Sequence, residues 1–157
     1  MKKRLFALLL IVASVLMVFT SCDLLFGKVD DSGSFTVVVE NSDGGFDVFK
    51  ANLEEIENNK EGAKGVVEHL SKGDDGLYLE MVDSTYGAYV SAIGSIRESN
   101  ADKVYVIVYT SVQTDSYDGA PTLQYEGVTL YQSGVGLSAM SVSEGGIILF
   151  RLEKSPY

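Results

Sequence analysis

The chain has 157 residues, with 22 Asp plus Glu against 12 Lys plus Arg, a formal net charge of −10 at pH 7, and a single Cys. A chain this acidic repels nucleic acid and anionic lipid headgroups, so neither is expected as a partner. One cysteine excludes an intrachain disulfide, so a folded domain here must be held together by its core.

The N-terminus opens with the basic cluster Met1-Lys2-Lys3-Arg4 and continues as an apolar run from Leu5 to Phe19, broken only by Ser14. It ends at Thr20-Ser21-Cys22. A charged head, a short apolar core and small residues before a cut define a secretory signal. The run is shorter than the ~20 residues that span a bilayer comfortably. Cysteine immediately after a small residue is the lipoprotein arrangement, in which the thiol accepts diacylglycerol before cleavage. Residues 1–21 therefore read as a lipoprotein signal peptide. Cys22 reads as the lipidated first residue of an exported protein anchored to a bacterial membrane or envelope. Phe19 and Thr20 depart from the usual Leu and Ala or Ser. The competing readings are an ordinary signal with a chance cysteine, and an uncleaved anchor helix.

Residues 22–34 read as a tether, polar and Gly/Ser-containing in their second half. Phe35 to Glu40 alternates as a strand, with Phe35, Val37 and Val39 on one face. Asn41 to Gly45 is a turn cluster, and Phe46 to Leu53 is the returning strand of a hairpin. Lys60 to Ser71 carries Ala63, Val66, Val67 and Leu70 as one helical stripe. Asn58 with Glu61 resembles a capping box and Gly73 a C-terminal stop, while Gly62 and Gly65 weaken the helix. His69, the lone histidine, lies beside the stripe and reads as a partly exposed surface residue.

Leu77 to Val82 is a further strand. Tyr86 and Tyr89 flank Gly87 in what reads as a loop or strand edge, with Ser84, Thr85 and Ser91 nearby, and Arg97 to Lys103 reads as a polar loop. Val104 to Tyr109 is apolar on both faces, as a central strand would be. Thr110 to Pro121 is a long polar surface loop. Leu123 to Tyr125 and Val128 to Tyr131 flank Glu126-Gly127, a two-residue hairpin signal. Ile147 to Leu152 is the last strand. These elements make an α+β domain over residues 35–155, with about six to eight strands in a mixed sheet packed on one principal helix. Hairpin, helix, then further strands is the order of a β-grasp domain.

Two stretches carry a resemblance. Ser84-Thr-Tyr-Gly-Ala-Tyr-Val-Ser-Ala-Ile-Gly94 resembles a motif in which Gly-x-Tyr-hydrophobic precedes a Ser-Ile-Gly turn. Leu130 to Phe150, with Gly-Val before a polar-Gly turn and the last strand, resembles that motif's C-terminal companion. Both are similar to the transcobalamin-like C-terminal domain family, over roughly residues 35–153. The resemblance implies a β-grasp fold related to domains that bind soluble ligands. In the vitamin carriers of that kind the domain closes over one face of cobalamin. This sequence lacks the family's Trp in Val104–Thr110, has a longer polar loop after it, and leaves no room for the helical domain that completes the carriers' site. Cobalamin is accordingly not expected.

No catalytic constellation is visible. There is no G-x-S-x-G, C-x-x-C or H-E-x-x-H, and His69 has no second His or Cys with which to share a metal. Neither Asp30-Asp31 nor Asp74-Asp75 falls in a spaced calcium loop. The expectation is a non-catalytic domain without cofactor or metal. The candidate binding residues are Ser84, Tyr86, Gly87, Tyr89 and Ser91, where two aromatic rings, hydroxyls and a close-approach glycine are concentrated. The structural alternative is that Gly87 only serves a turn and the tyrosines only pack in the sheet. The partner is expected to be a soluble small molecule or glycan, or else an envelope protein docking on an edge strand.

Overall fold

The computed structural model describes residues 33–56, 59–72, 74, 76–85 and 87–155. All lie within one compact unit, Ser32–Tyr157. The signal peptide, Cys22 and nearly all of the tether lie outside the described residues, as do Asn58, Gly73 and Tyr86.

The class is α+β. Nine strands are present among the described residues: β1 (Ser34–Glu40), β2 (Phe46–Asn52), β3 (Leu79–Ser84), β4 (Gly87–Ile93), β5 (Ile96–Arg97), β6 (Val104–Thr110), β7 (Thr122–Tyr125), β8 (Val128–Gln132) and β9 (Ile147–Lys154). They form two sheets, one of six strands in the order β2-β1-β9-β6-β8-β7 and one of three in the order β3-β4-β5. The first and last strands lie side by side in parallel, with Val37 opposite Ile148 and Val39 opposite Phe150. The other named pairs are antiparallel.

Helix α1 (Gly62–Leu70) and the three-stranded sheet cover one face of the large sheet. The two-residue period of β1 and β9 puts Phe35, Val37, Val39, Ile148 and Phe150 on that face. They pack in one buried cluster with Ala63, Val66 and Val67 of α1, Ala88, Val90 and Ile93 of β4, and Ile96 of β5. The helix stripe is thus used as its spacing requires, with Leu70 partly buried at its end. His69 is half-buried. Glu61 precedes the helix without a side-chain cap, and Ser71 closes it by donating its hydroxyl to the Glu68 carbonyl at 2.8 Å. Gly62 is needed rather than merely tolerated. Its φ is +55°, and a Cβ there would meet the Met140 carbonyl oxygen at 2.5 Å.

The opposite face is covered by the chain's own hairpin. β8 pairs with β6 only at Tyr109–Gln132 and Thr110–Tyr131, and then the β7–β8 hairpin folds across the sheet. Tyr125 and Leu130 of the hairpin bury Val38, Tyr109 and Leu149 beneath them. Tyr125 reaches Phe46 on the far edge strand β2, ring edge to ring face with centroids 5.2 Å apart. β1 and β9 are therefore buried on both faces, which explains their near-continuous apolar composition. The Glu126-Gly127 turn has both residues at positive φ, as a tight hairpin demands.

The middle of the chain differs from the sequence reading. The segment around Gly87 is a loop only at the hairpin turn after Ser84: from Gly87 to Ile93 the chain is the whole central strand β4. The segment read as a polar loop from Arg97 begins inside β5. β3 starts two residues later than expected, and a register shift between Glu80 and Met81 disturbs its pairing with β4. That irregularity, together with the small residues Ala88, Ser91 and Ala92, hides the period that marks a strand.

Candidate functional site

Gly87 stands where the β3–β4 hairpin turns. Its φ of +102° is open to glycine, and a Cβ would lie 3.0 Å from the Gly136 Cα. The start of β4 can therefore lie against the backbone of a second segment, Ser133–Gly136. That segment is shaped by its own bonds. Ser133 donates its hydroxyl to the Val135 carbonyl at 2.8 Å and accepts from the Val135 N–H at 3.2 Å. The Ala88 N–H donates to the Ser138 hydroxyl at 3.2 Å, joining β4 to the turn beyond.

Between β4 and this segment lies an open groove of about 460 Å³. Ser84, Gly87 and Tyr89 line it from one side, with Val82 of β3. Ser133 to Gly136 line it from the other. A smaller cavity of about 170 Å³ shares Ala88, Tyr89, Ser133, Val135 and Gly136 and continues the groove toward β6 at Val106–Val108. Val82 and Tyr89 are directly opposite each other across β3 and β4. Val82 is 63% exposed, and Tyr89 and Val135 are each 42% exposed.

Of the expected site residues, the structure thus brings Ser84, Gly87 and Tyr89 to one groove. Ser91 lies farther along β4, and its hydroxyl donates to the Glu80 carbonyl at 3.4 Å. The Ser84 hydroxyl donates to the Gly87 carbonyl at 2.6 Å and closes the hairpin turn. The Tyr89 phenol donates to Glu98. Partial burial, reinforced by that carboxylate, raises the Tyr89 pKa above the ordinary phenol value, so it is a neutral donor at any physiological pH.

Sequence reading missed the other wall. Gly134-Val135-Gly136 is its signal: a lone apolar residue between two glycines just after a strand presents a side chain where the backbone can be approached closely. Outside the groove, the outer face of the small sheet carries an ionic row. Arg97 donates to Glu80 at 2.5 and 2.7 Å and to the Tyr78 hydroxyl at 2.7 Å. The Tyr78 hydroxyl in turn donates to Glu80, and the bonds from Arg97 and then Tyr78 hold the Glu80 carboxyl down at about 2. Among the described residues no group of three or more His, Cys, Asp or Glu is arranged to hold a metal ion.

No family model and no curated protein matches the chain. Solved structures share its fold. One is a protein of Ruminococcus gnavus ATCC 29149, provisionally named a metal-binding protein. It is 14% identical, with a TM-score of 0.52 over 78% of this chain and 97% of that one. Another is haptocorrin in complex with Cbi, which is 17% identical, with a TM-score of 0.51 over 77% of this chain. This chain spans about a quarter of haptocorrin, matching 25% of its length. At these identities the likeness establishes a common fold, in line with the transcobalamin-like resemblance of the sequence.

Proposed function

We propose that the chain is an exported lipoprotein, held at a membrane by lipid on Cys22, whose domain binds a soluble ligand without catalysis in the groove between β4 and Ser133–Gly136. One observation carries the binding reading. Val82, Tyr89 and Val135 come from three separate segments, all stay exposed, and all border the same groove. Isolated exposed apolar side chains are ordinary, but convergent ones beside close-approach glycines are the composition of a recognition surface. Completing the burial of each by a ligand contributes roughly 1 kcal/mol, a part of the full side-chain value. The ligand then has an apolar or planar face for the groove. The fold shared with haptocorrin, a protein crystallised with a ligand, supports the same reading.

The test is a thermal-shift screen of the purified protein against a metabolite library. A saturable rise in melting temperature that Val135→Asp and Val82→Asp both abolish is the expected result. A rise that neither substitution touches rules out this groove. For the anchor, a fatty-acid analogue should label the wild type and not Cys22→Ser. Equal labelling of both, or of neither, removes the lipoprotein part.

A second reading has its own observation. β3 is an edge strand of the three-stranded sheet, with Val82 exposed beside its open backbone, a surface to which another envelope protein can add a strand. Docking of that kind predicts co-purification from membranes with one partner, lost in a variant carrying proline within β3, and no metabolite-induced shift.

A further inference from the structure

The polar loop Ser111–Pro121, which departs from the family pattern, is not a loose excursion. Its 3-10 turn Gln113–Asp115 inserts the Asp115 carboxylate into the protein. There it accepts from the Ser141 N–H at 2.7 Å and the Ser141 hydroxyl at 2.9 Å. The Asp115 carbonyl accepts from the Gly134 N–H at 2.9 Å, and Ser116 bridges Ser133. At the far end the Gln132 N–H donates to the Pro121 carbonyl at 2.9 Å. At the near end the Ser111 N–H donates to the Ile147 carbonyl at 2.9 Å, so both ends and the middle of the loop are tied to fixed structure.

The loop thereby borders an open hollow of about 410 Å³ against β8, with Gln113, Thr114, Tyr117, Asp118, Thr122 and Tyr131 in its wall. Tyr117 is the unusual member. It is 48% exposed, yet it is held. Its hydroxyl donates to the Gln132 side-chain oxygen at 3.1 Å, and its ring edge lies against Gly134, where a Cβ would be 3.3 Å from the ring. An exposed aromatic ring fixed by its neighbours has already lost the freedom that binding would otherwise cost. The hollow and the groove flank the Tyr117–Gly134 contact and share no lining residue.

We propose that this hollow is a second binding site, one that takes a neutral hexose residue of a glycan. A pyranose has an apolar C–H face, which lies on an aromatic ring, and a rim of hydroxyls, which need donors and acceptors together. Tyr117 and Tyr131 supply rings, the Asp118 carboxylate accepts, and the Gln113 amide and the Thr114 and Thr122 hydroxyls do both. The volume falls within the roughly 300–1,000 Å³ of small-molecule sites. The chain's net charge of −10 favours a neutral sugar over an anionic one.

Isothermal titration decides the matter, using the full chain in a detergent without a sugar headgroup and maltohexaose, cellohexaose and mannohexaose as ligands. At least one should bind saturably. Tyr117→Ala should weaken that binding about tenfold, while Tyr117→Phe, which keeps the ring, should stay within about threefold. Asp118→Asn should also weaken it, and Tyr89→Ala, in the separate groove, should leave it unchanged. Both Tyr117 and Asp118 are exposed, so these variants should melt like the wild type; if Tyr117→Ala melts early, Asp118→Asn decides. No saturable binding by any of the three sugars overturns the proposal. So does binding that Tyr89→Ala abolishes and the hollow variants spare. Neither result touches the groove, whose own test is the metabolite screen.

Discussion

The Asp115 carboxylate accepts two hydrogen bonds from one residue, Ser141, at 2.7 Å from its N–H and 2.9 Å from its hydroxyl. Asp115 is only 6% exposed and joins the loop after β6 to the segment before β9, with Ser133–Gly136 held between them. Hydrogen bonds to a charged group contribute about 1.5–3 kcal/mol, and a buried donor left unpaired adds its desolvation cost. Asp115→Ala is therefore expected to lower unfolding free energy by about 2–4 kcal/mol. Ser141→Ala, which keeps the N–H bond, should cost about half of that. Urea melts of residues 32–157 measure both. Equal losses in the two variants would show that the hydroxyl carries the whole interaction.

Phe150 is fully buried on β9, between β1 and β6, on the face beneath the helix. Truncation to Ala removes a ring from a packed cluster and leaves a cavity, at a cost of ~3–5 kcal/mol. That is a large share of the stability of a domain this size. Val128→Ala, at an exposed position of β8, should cost below about 1 kcal/mol. Similar denaturant midpoints for the two variants would contradict the layering described above.

Glu80 gives the protein an acid-sensitive element. Its carboxyl is held at about 2 against an ordinary value of 4.5, first by its hydrogen bond with Arg97 and then by that with Tyr78. A depressed folded-state pKa means that the unfolded chain binds the proton more readily. The contribution is fully present above pH 4.5 and is lost as pH falls through about 2. Wild type should lose melting temperature across that window more steeply than Glu80→Gln, which has no such proton to bind. Parallel pH profiles for the two proteins would show that the bonds to Arg97 and Tyr78 are no stronger in the folded state than in the unfolded chain.

The first strand in the chain and the helix were legible because their sequences obey one simple period. Phe35, Val37 and Val39 alternate cleanly, the α1 stripe repeats as a helix does, and Glu126-Gly127 marks its own hairpin. The middle was not legible, because four of the seven residues of β4 are Gly, Ala or Ser, and its register with β3 shifts at Glu80/Met81. Half of the groove was visible in Ser84, Gly87 and Tyr89, which are close in sequence. Val135 and Gly136 are nearly fifty residues away from them, and only the folding of β8 beside β6 brings them near. The Asp115 clamp was invisible for the same reason: a buried carboxylate in a polar loop looks like any solvated one until its partner, Ser141, is placed.

The approach of Gly87 to Gly136 sets the width of the groove, and it can be separated from backbone strain. Gly87 and Gly127 both have positive φ, +102° and +81°. A Cβ on Gly127 would meet nothing within 4 Å, whereas one on Gly87 would lie 3.0 Å from the Gly136 Cα. Alanine at either position bears the cost of a left-handed backbone, about 1–2 kcal/mol. At Gly87 it must also push Ser133–Gly136 away from β4. Gly87→Ala is therefore expected to lose about 1 kcal/mol more stability than Gly127→Ala, and to displace the amide resonances of Val135 and Gly136. Gly127→Ala should leave those resonances in place. If the two variants are equally destabilised and Val135 does not respond to either, β4 and the Ser133–Gly136 segment are not in contact at Gly87, and the groove is wider than described.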